Sequence, residues 1–211
     1  MIRAFGLMLL GMSACAAPGG REPGLLFADD FSDLRNWSVE GTGTAEAVDG
    51  TLVWDCSGTR EGTAWCLASF NGPTRVTYEV QVLEGRNNIN FFGYAQVDLT
   101  SKRTGAYGEY HTFPNYLITY LIQGEQWRIR FRKNPGFALL SEARVDGPEP
   151  GRWRKVEYRF AKDGIIRLSI DGRTVHEDRD ARPLALSGLH GLRTWRTKLR
   201  YRNFRVYALP E

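Results

Sequence analysis

Residues 103–137 read RTGAYGEYHTFPNYLITYLIQGEQWRIRFRKNPGF. Within Trp127–Lys133, Trp127, Ile129 and Phe131 point one way while Arg128, Arg130 and Arg132 point the other, because successive strand side chains alternate faces. Arginines opposite large apolar groups predict a strand with one face on a core and the other toward water. Edge protection by charge is the plainer use of such a row, so the rest of the chain has to supply the context.

Outward from this stretch nearly every segment alternates with period two, and turn residues recur at short intervals, which predicts an all-β chain. Leu25–Phe31 opens the domain. Ala45–Val48 and Thr51–Asp55 flank Asp49-Gly50, a pair suited to a type I′ hairpin turn. Arg75–Leu83 alternates, as does Asn88–Val97, with Ile89, Phe91, Ala95 and Val97 on one side and Asn88, Asn90, Phe92, Tyr94 and Gln96 on the other. Lys155–Phe160, Ile165–Ile170 and Thr174–Glu177 form a meander through Asp163-Gly164 and Asp171-Gly172. Leu189–Trp195 and Tyr201–Ala208 are the last strands, and no long amphipathic helix is predicted. About a dozen short strands in one domain fit a jelly-roll β-sandwich of two antiparallel sheets.

The N-terminus points to export. Arg3 precedes the apolar run Phe5–Met12, too short to span a bilayer, and Ser13-Ala14 set small residues before Cys15. This predicts a bacterial lipoprotein signal over 1–14, a lipidated Cys15 with a tether over 15–24, and the sandwich over 25–211, held at the outer membrane through its lipid alone. An ordinary secretory signal cut near Ala17 is the alternative. Two further cysteines, Cys56 and Cys66, stand ten residues apart, and in an oxidising compartment they are expected to form a disulfide across the Gly58–Gly62 loop. Two independent buried thiols are the alternative. No CxxC or HExxH spacing exists, so no metal site is predicted from cysteine or histidine.

A formal charge of +4 over 211 residues, mixed with 24 acids, makes no case for nucleic acid. The predicted outer face of one sheet is unusual. It carries Asn88, Asn90, Phe92, Tyr94 and Gln96, then Arg193 with Trp195, beside the arginines of Trp127–Lys133. Aromatic faces take the C–H side of a pyranose, amides satisfy hydroxyls and guanidinium forks grip carboxylates. The expected partner is an acidic polysaccharide or oligosaccharide, bound by Asn90, Tyr94, Asn115, Arg130, Arg132, Arg193 and Trp195. Burial of Phe92, Tyr94 and Trp195 in the core is the competing reading.

The run Arg103–His111 (R-T-G-x-Y-x-E-Y-H), with Asn115, Tyr120, Arg130–Lys133, Gly136-Phe137, Gly191–Arg193 and Tyr201–Phe204, resembles the YesU-like family over Phe27–Leu209. A related group of uncharacterised domains shares a Tyr-His, an R-F-R and an F-R-T-x-W close to the LRTW here. The resemblance implies a concanavalin-like, lectin-type fold and bacterial breakdown of plant or algal polysaccharides, including pectin-type polymers. Exported jelly rolls acting on such polymers commonly use β-elimination, in which a cation neutralises the uronate carboxylate and a Tyr or His moves the proton. Tyr110 and His111 are the expected catalytic pair, provided the backbone bends between Gly105, Gly108 and Pro114. A non-catalytic carbohydrate-binding lipoprotein is the alternative. A hydrolase needs two paired carboxyls, and Glu109, Glu142 and Asp98 show no pairing. No cofactor is called for. A structural calcium near Asp29-Asp30-Phe31 and the C-terminal strand is left unassigned, because Asn203 stands where an acid would be the better ligand.

Overall fold

The computed structural model describes residues 22–58, 60–101 and 103–210. The signal segment, Cys15 and most of the tether lie outside them. Thirteen strands follow one another: β1 (Leu25–Asp29), β2 (Trp37–Gly41), β3 (Thr44–Val48), β4 (Thr51–Asp55), β5 (Glu61–Asn71), β6 (Thr74–Ala95), β7 (Asn115–Gln123), β8 (Gln126–Asn134), β9 (Ala138–Val145), β10 (Trp153–Phe160), β11 (Ile165–Ile170), β12 (Arg173–Arg179) and β13 (Ser187–Ala208). The β3–β4 and β11–β12 turns have positive φ at both central residues, Asp49-Gly50 and Asp171-Gly172, the geometry expected of type I′.

β6 and β13 each run 22 residues and pair antiparallel from Thr74–Ala208 to Ala95–Leu189. Where two separate strands were expected at each place, the backbone continues through bulges, with Gly85 at φ +85° and Arg196 at φ +54°. Gly85 has no substitute there, since a Cβ would lie 2.4 Å from the Arg196 carbonyl oxygen. On one side of this bend β6 joins the meander β10–β11–β12, and β13 joins β4, β3 and β1; this is the back sheet. On the other side β6 joins β7–β8–β9, and β13 joins β5 and β2; this is the front sheet. The two layers close face to face as a jelly-roll sandwich, with Phe91 of the front stacked on Tyr158 of the back at 4.3 Å. Ile129 and Phe131 are fully buried in that core, so Arg128, Arg130 and Arg132, which alternate with them, face outward as the alternation predicts.

Two expectations are corrected here. Tyr94 does not face a ligand. It takes a left-handed backbone (φ +51°), which breaks the alternation and turns its ring into the core, where its hydroxyl donates to the Gly72 carbonyl (2.6 Å). Cys56 and Cys66 are free, buried thiols. Cys56 sits at the end of β4, its N–H bonded to the Thr197 carbonyl. Cys66 pairs with Trp37 on β2, five residues along β5 from Glu61, or roughly 17 Å of strand. A disulfide needs α-carbons within about 7 Å. Burial pushes both thiols up to about 12, so they are inert small hydrophobes.

The N-terminal acids are also engaged. Asp29 accepts from the Phe31 N–H, Asn36 and Trp37, and Asn203 donates to Glu79.

His190 lies wholly inside, stacked on Phe70 at 4.8 Å, and burial holds its pKa down at about 3. Its folded value is below the unfolded one of about 6.5, so protonation favours the unfolded chain. The stability this neutral ring contributes is complete above pH 6.5 and is lost as pH falls toward 3. Urea melts from pH 7 to 4 should show stability falling by about 1.4 kcal/mol per unit from this residue, and the His190→Phe variant should lose that slope. Equal slopes in both proteins would refute the assignment.

Candidate functional site

The register of the front sheet lines up outward-facing side chains in rows across the strands. One row runs Glu142, Arg130, Thr119, Asn90, Arg193, Thr63, Glu40 from β9 to β2, each residue the Cα partner of the next. Every member is polar. A second row, Arg128, Leu121, Asn88, Trp195, Glu61, lies beside it. On the other flank, Arg132, Leu117, Phe92, Gly191 and Trp65 form an apolar row headed by one cation.

The apolar row is not left to water. The β6–β7 connection folds back over it, and Trp65, Phe92, Ala95, Leu117 and Tyr110 form a second buried cluster outside the front sheet. Arg103 ties this connection down by donating through Nε and Nη2 to Glu40 Oε2 (3.0 and 2.8 Å). Glu40 Oε1 accepts from Trp65 Nε1 at 2.8 Å. The connection contains a 3-10 turn at Tyr107–His111, the bend expected from Gly105 and Gly108. Residues three apart eclipse in such a turn, and Tyr107 and Tyr110 both present their rings to Arg193, at 4.9 and 5.0 Å.

Between this wall and the polar rows lies a concave pocket of about 430 Å³, lined by Glu61, Asn88, Tyr107, Thr119, Leu121, Arg130, Arg132, Phe137, Arg193 and Trp195. Its charge is one-sided. Arg193, only 1% exposed, donates to Glu61. Arg130 and Arg128 share Glu142. Arg132 has no carboxylate partner among the described residues; it donates to the Phe137 carbonyl (2.9 Å) and lies 3.8 Å over that ring. Burial, reinforced by the neighbouring charge of Arg130, holds its pKa below the usual arginine value. Among the described residues, Asn90 Oδ1, Thr119 Oγ1 and Arg193 Nε are buried without a partner, in neighbouring positions of the polar row.

The structure brings Arg130, Arg132, Arg193 and Trp195 together at this pocket, with Asn90 buried between Thr119 and Arg193 in the polar row. Other expected site residues go elsewhere. Asn115 is fully buried and fully used, donating to the Tyr110 and Phe113 carbonyls and accepting from Asn134 (each 2.9 Å). It pins the β6–β7 connection rather than meeting a ligand. Tyr110 is completely buried; its hydroxyl accepts from Thr63 (2.9 Å) and donates to the Gly105 carbonyl (3.1 Å). Burial raises its pKa, so it neither reaches the pocket nor ionises readily. His111 stands behind the wall, stacked on Phe137 at 4.0 Å, with Nε2 buried and unpartnered. Burial first, then Arg132 and Arg193, lower its pKa, and it is neutral at pH 7.

Tyr107, Phe137 and Glu61 were given no site role from the sequence, although Tyr107 and Phe137 both belong to the motifs that carry the family resemblance. Glu61 was legible only through register, as the neighbour of Trp195. Glu61 is the one acid lining the pocket among the described residues. Glu109 is absorbed by Thr104 and Gly105 and Asp98 by Thr100. Glu142 is five strands from Glu61, roughly 24 Å at the usual strand spacing. Two-carboxylate hydrolysis works at about 5–9.5 Å, and the pocket does not provide that pair. Among the described residues no group of three or more acids, histidines or cysteines is placed to hold a metal.

Sandwich and pocket together define a galectin-like jelly roll with a basic, aromatic-walled pocket on one sheet. Residues 57–204 match the domain of unknown function DUF6250, and the chain belongs to that family. No curated protein matches the chain. Among solved structures, a Bacillus subtilis protein of unknown function with a galectin-like fold superposes with a TM-score of 0.79 at 24% identity, over 89% of this chain and 97% of its own. The potassium-bound carbohydrate recognition domain of Emp46p gives 0.65 at 10% identity, over 89% and 95%. The carbohydrate binding module CBM66 from Bacillus subtilis gives 0.58 at 15% identity, over 82% and 96%.

The wall depends on Glu40. Glu40→Ala leaves Arg103 and the Trp65 indole N–H without their acceptor, and the loss of one member of a largely buried ion pair costs about 3 kcal/mol. Thermal melts should show that loss, with the β6–β7 connection becoming protease-sensitive before the sandwich; an unchanged melting temperature would contradict the anchoring role.

Proposed function

We propose that this protein recognises an anionic saccharide, a uronate-bearing oligosaccharide or polymer, in the front-sheet pocket. The observation that carries the reading is the pocket's composition: three guanidinium groups facing one carboxylate, with a half-buried indole at the rim. Arg132, lacking a carboxylate of its own, is placed to take the ligand's carboxylate as a fork. Trp195 supplies a flat apolar face for a sugar ring, and Asn88 and Thr119 supply hydroxyl partners. Two of the fold neighbours are a carbohydrate recognition domain and a carbohydrate binding module, which makes carbohydrate the first ligand class to test. The likeness of Arg103–His111 and Arg130–Lys133 to the YesU-like family supports the same choice.

Calorimetry with uronate oligosaccharides and their neutral counterparts tests this. The acidic ligand should bind better, and added salt should weaken it. Loss of one charge-assisted fork in Arg132→Ala should weaken binding roughly tenfold or more, and Trp195→Ala should weaken it as well. Equal affinity for acidic and neutral ligands, or wild-type affinity in Arg132→Ala, would overturn the reading.

The N-terminal sequence supports export and lipid anchoring at Cys15, on the outer membrane toward the periplasm or the cell surface. Cys15→Ser should move the protein from the membrane to the soluble fraction, and a variant that stays with the membrane would exclude the anchor.

A further inference from the structure

We infer that the pocket cleaves its uronate ligand by β-elimination, with Tyr107 as the residue that takes the C5 proton and returns it to the leaving oxygen. This rests on the anionic-saccharide reading above and goes beyond it.

The assignment follows from which lining groups can exchange a proton. Asn88, Thr119, Leu121, Phe137 and Trp195 do not at ordinary pH, and the three arginines keep theirs. Glu61 is held by Arg193. Tyr107 remains. Its ring is fixed between Arg193, Phe137 (5.5 Å) and His111 (4.7 Å). On balance burial raises its pKa, and Arg193, Arg132 and Arg130 offset part of that rise, so the phenolate forms toward alkaline pH and the three cations stabilise it once formed.

Elimination needs two things from a site: a cation to stabilise charge spreading from C5 into the carboxylate, and a group to carry the proton. Arg132 provides the first. In the step itself the Tyr107 phenolate removes H5, the C5–H electron pair becomes the C4=C5 double bond, and the C4–O4 bond breaks. Tyr107 then gives the same proton to the departing O4. Atoms and electrons balance with no co-reactant.

One residue doing both transfers must work on one face of the ring, so H5 and O4 leave from the same side. That selects gluco- and manno-configured uronates, in which the two are cis. Galacturonate and guluronate, in which they are trans, are excluded.

The purified protein is tested against polyglucuronate, polymannuronate and polygalacturonate, reading binding by calorimetry and product by the ultraviolet absorbance of the unsaturated uronate. Product is expected from a cis polymer, with a rate rising toward alkaline pH as the phenolate fills. Tyr107→Phe keeps the ring against Arg193, so binding should hold within about threefold while turnover falls roughly a hundredfold or more. Binding without product overturns the elimination and leaves the recognition reading standing. Binding of none of the three polymers overturns both. Undiminished turnover in Tyr107→Phe removes Tyr107 from the step, and product from polygalacturonate alone overturns the same-face assignment.

Discussion

The ladder between β6 and β13 runs through both sheets, and every other strand of the front and back layers takes its register directly or indirectly from it. A one-residue slip in this pairing would exchange the two faces of each strand that follows. Asn90 would then lie opposite a different residue, and the polar row from Glu142 to Glu40 would no longer exist as a row. The bend at Gly85 and Arg196 allows one pair of strands to serve two sheets. The same ladder thus builds the core around Phe91 and Tyr158 and sets out the pocket floor on the opposite face.

That floor is not arranged for stability. A buried guanidinium loses its hydration, and the ion pair with Glu61 recovers that loss only in part. The two tyrosine rings beside Arg193 add cation–π attraction, yet its Nε stays unpartnered, as do Asn90 Oδ1 and Thr119 Oγ1. Orphaned buried polar atoms are rare in folded proteins and each destabilises the chain that keeps it. Three of them in adjacent positions, under a concave pocket, mark a surface shaped for a polar ligand rather than for packing.

Much of this was legible from alternation alone. The sandwich, the back-sheet meander, the two Asp-Gly turns and the shared face of Arg130, Arg132, Arg193 and Trp195 all follow from period two, because strand geometry leaves a side chain only two directions. Where the backbone departs from a strand, the pattern stops informing. Tyr94 has a left-handed backbone and reverses its face. Tyr110 and His111 lie in a 3-10 turn, where facing depends on a three-residue repeat and on what the turn rests against. Asn115 begins a strand, and its side chain is spent on carbonyls of the connection before it. Cys56 and Cys66 are close in sequence, but the strand direction of β5 carries them apart. Each of these is set by tertiary contact, and a single sequence records no such contact.

The β6–β7 connection brings the two kinds of residue together. Its apolar side, through Tyr110 and Phe113, covers Trp65, Phe92 and Leu117, and its charged side is clamped by Arg103 on Glu40. A loop fixed by both a small core and an ion pair gives up its freedom on folding rather than on binding, so a ligand meets a wall already in place. Tyr107 inherits that rigidity without touching the clamp, because it stands one 3-10 turn from Tyr110 in the same short segment. The catalytic-looking pair in the sequence, Tyr110 and His111, therefore acts as the support, and the residue three places earlier is the one presented to the pocket.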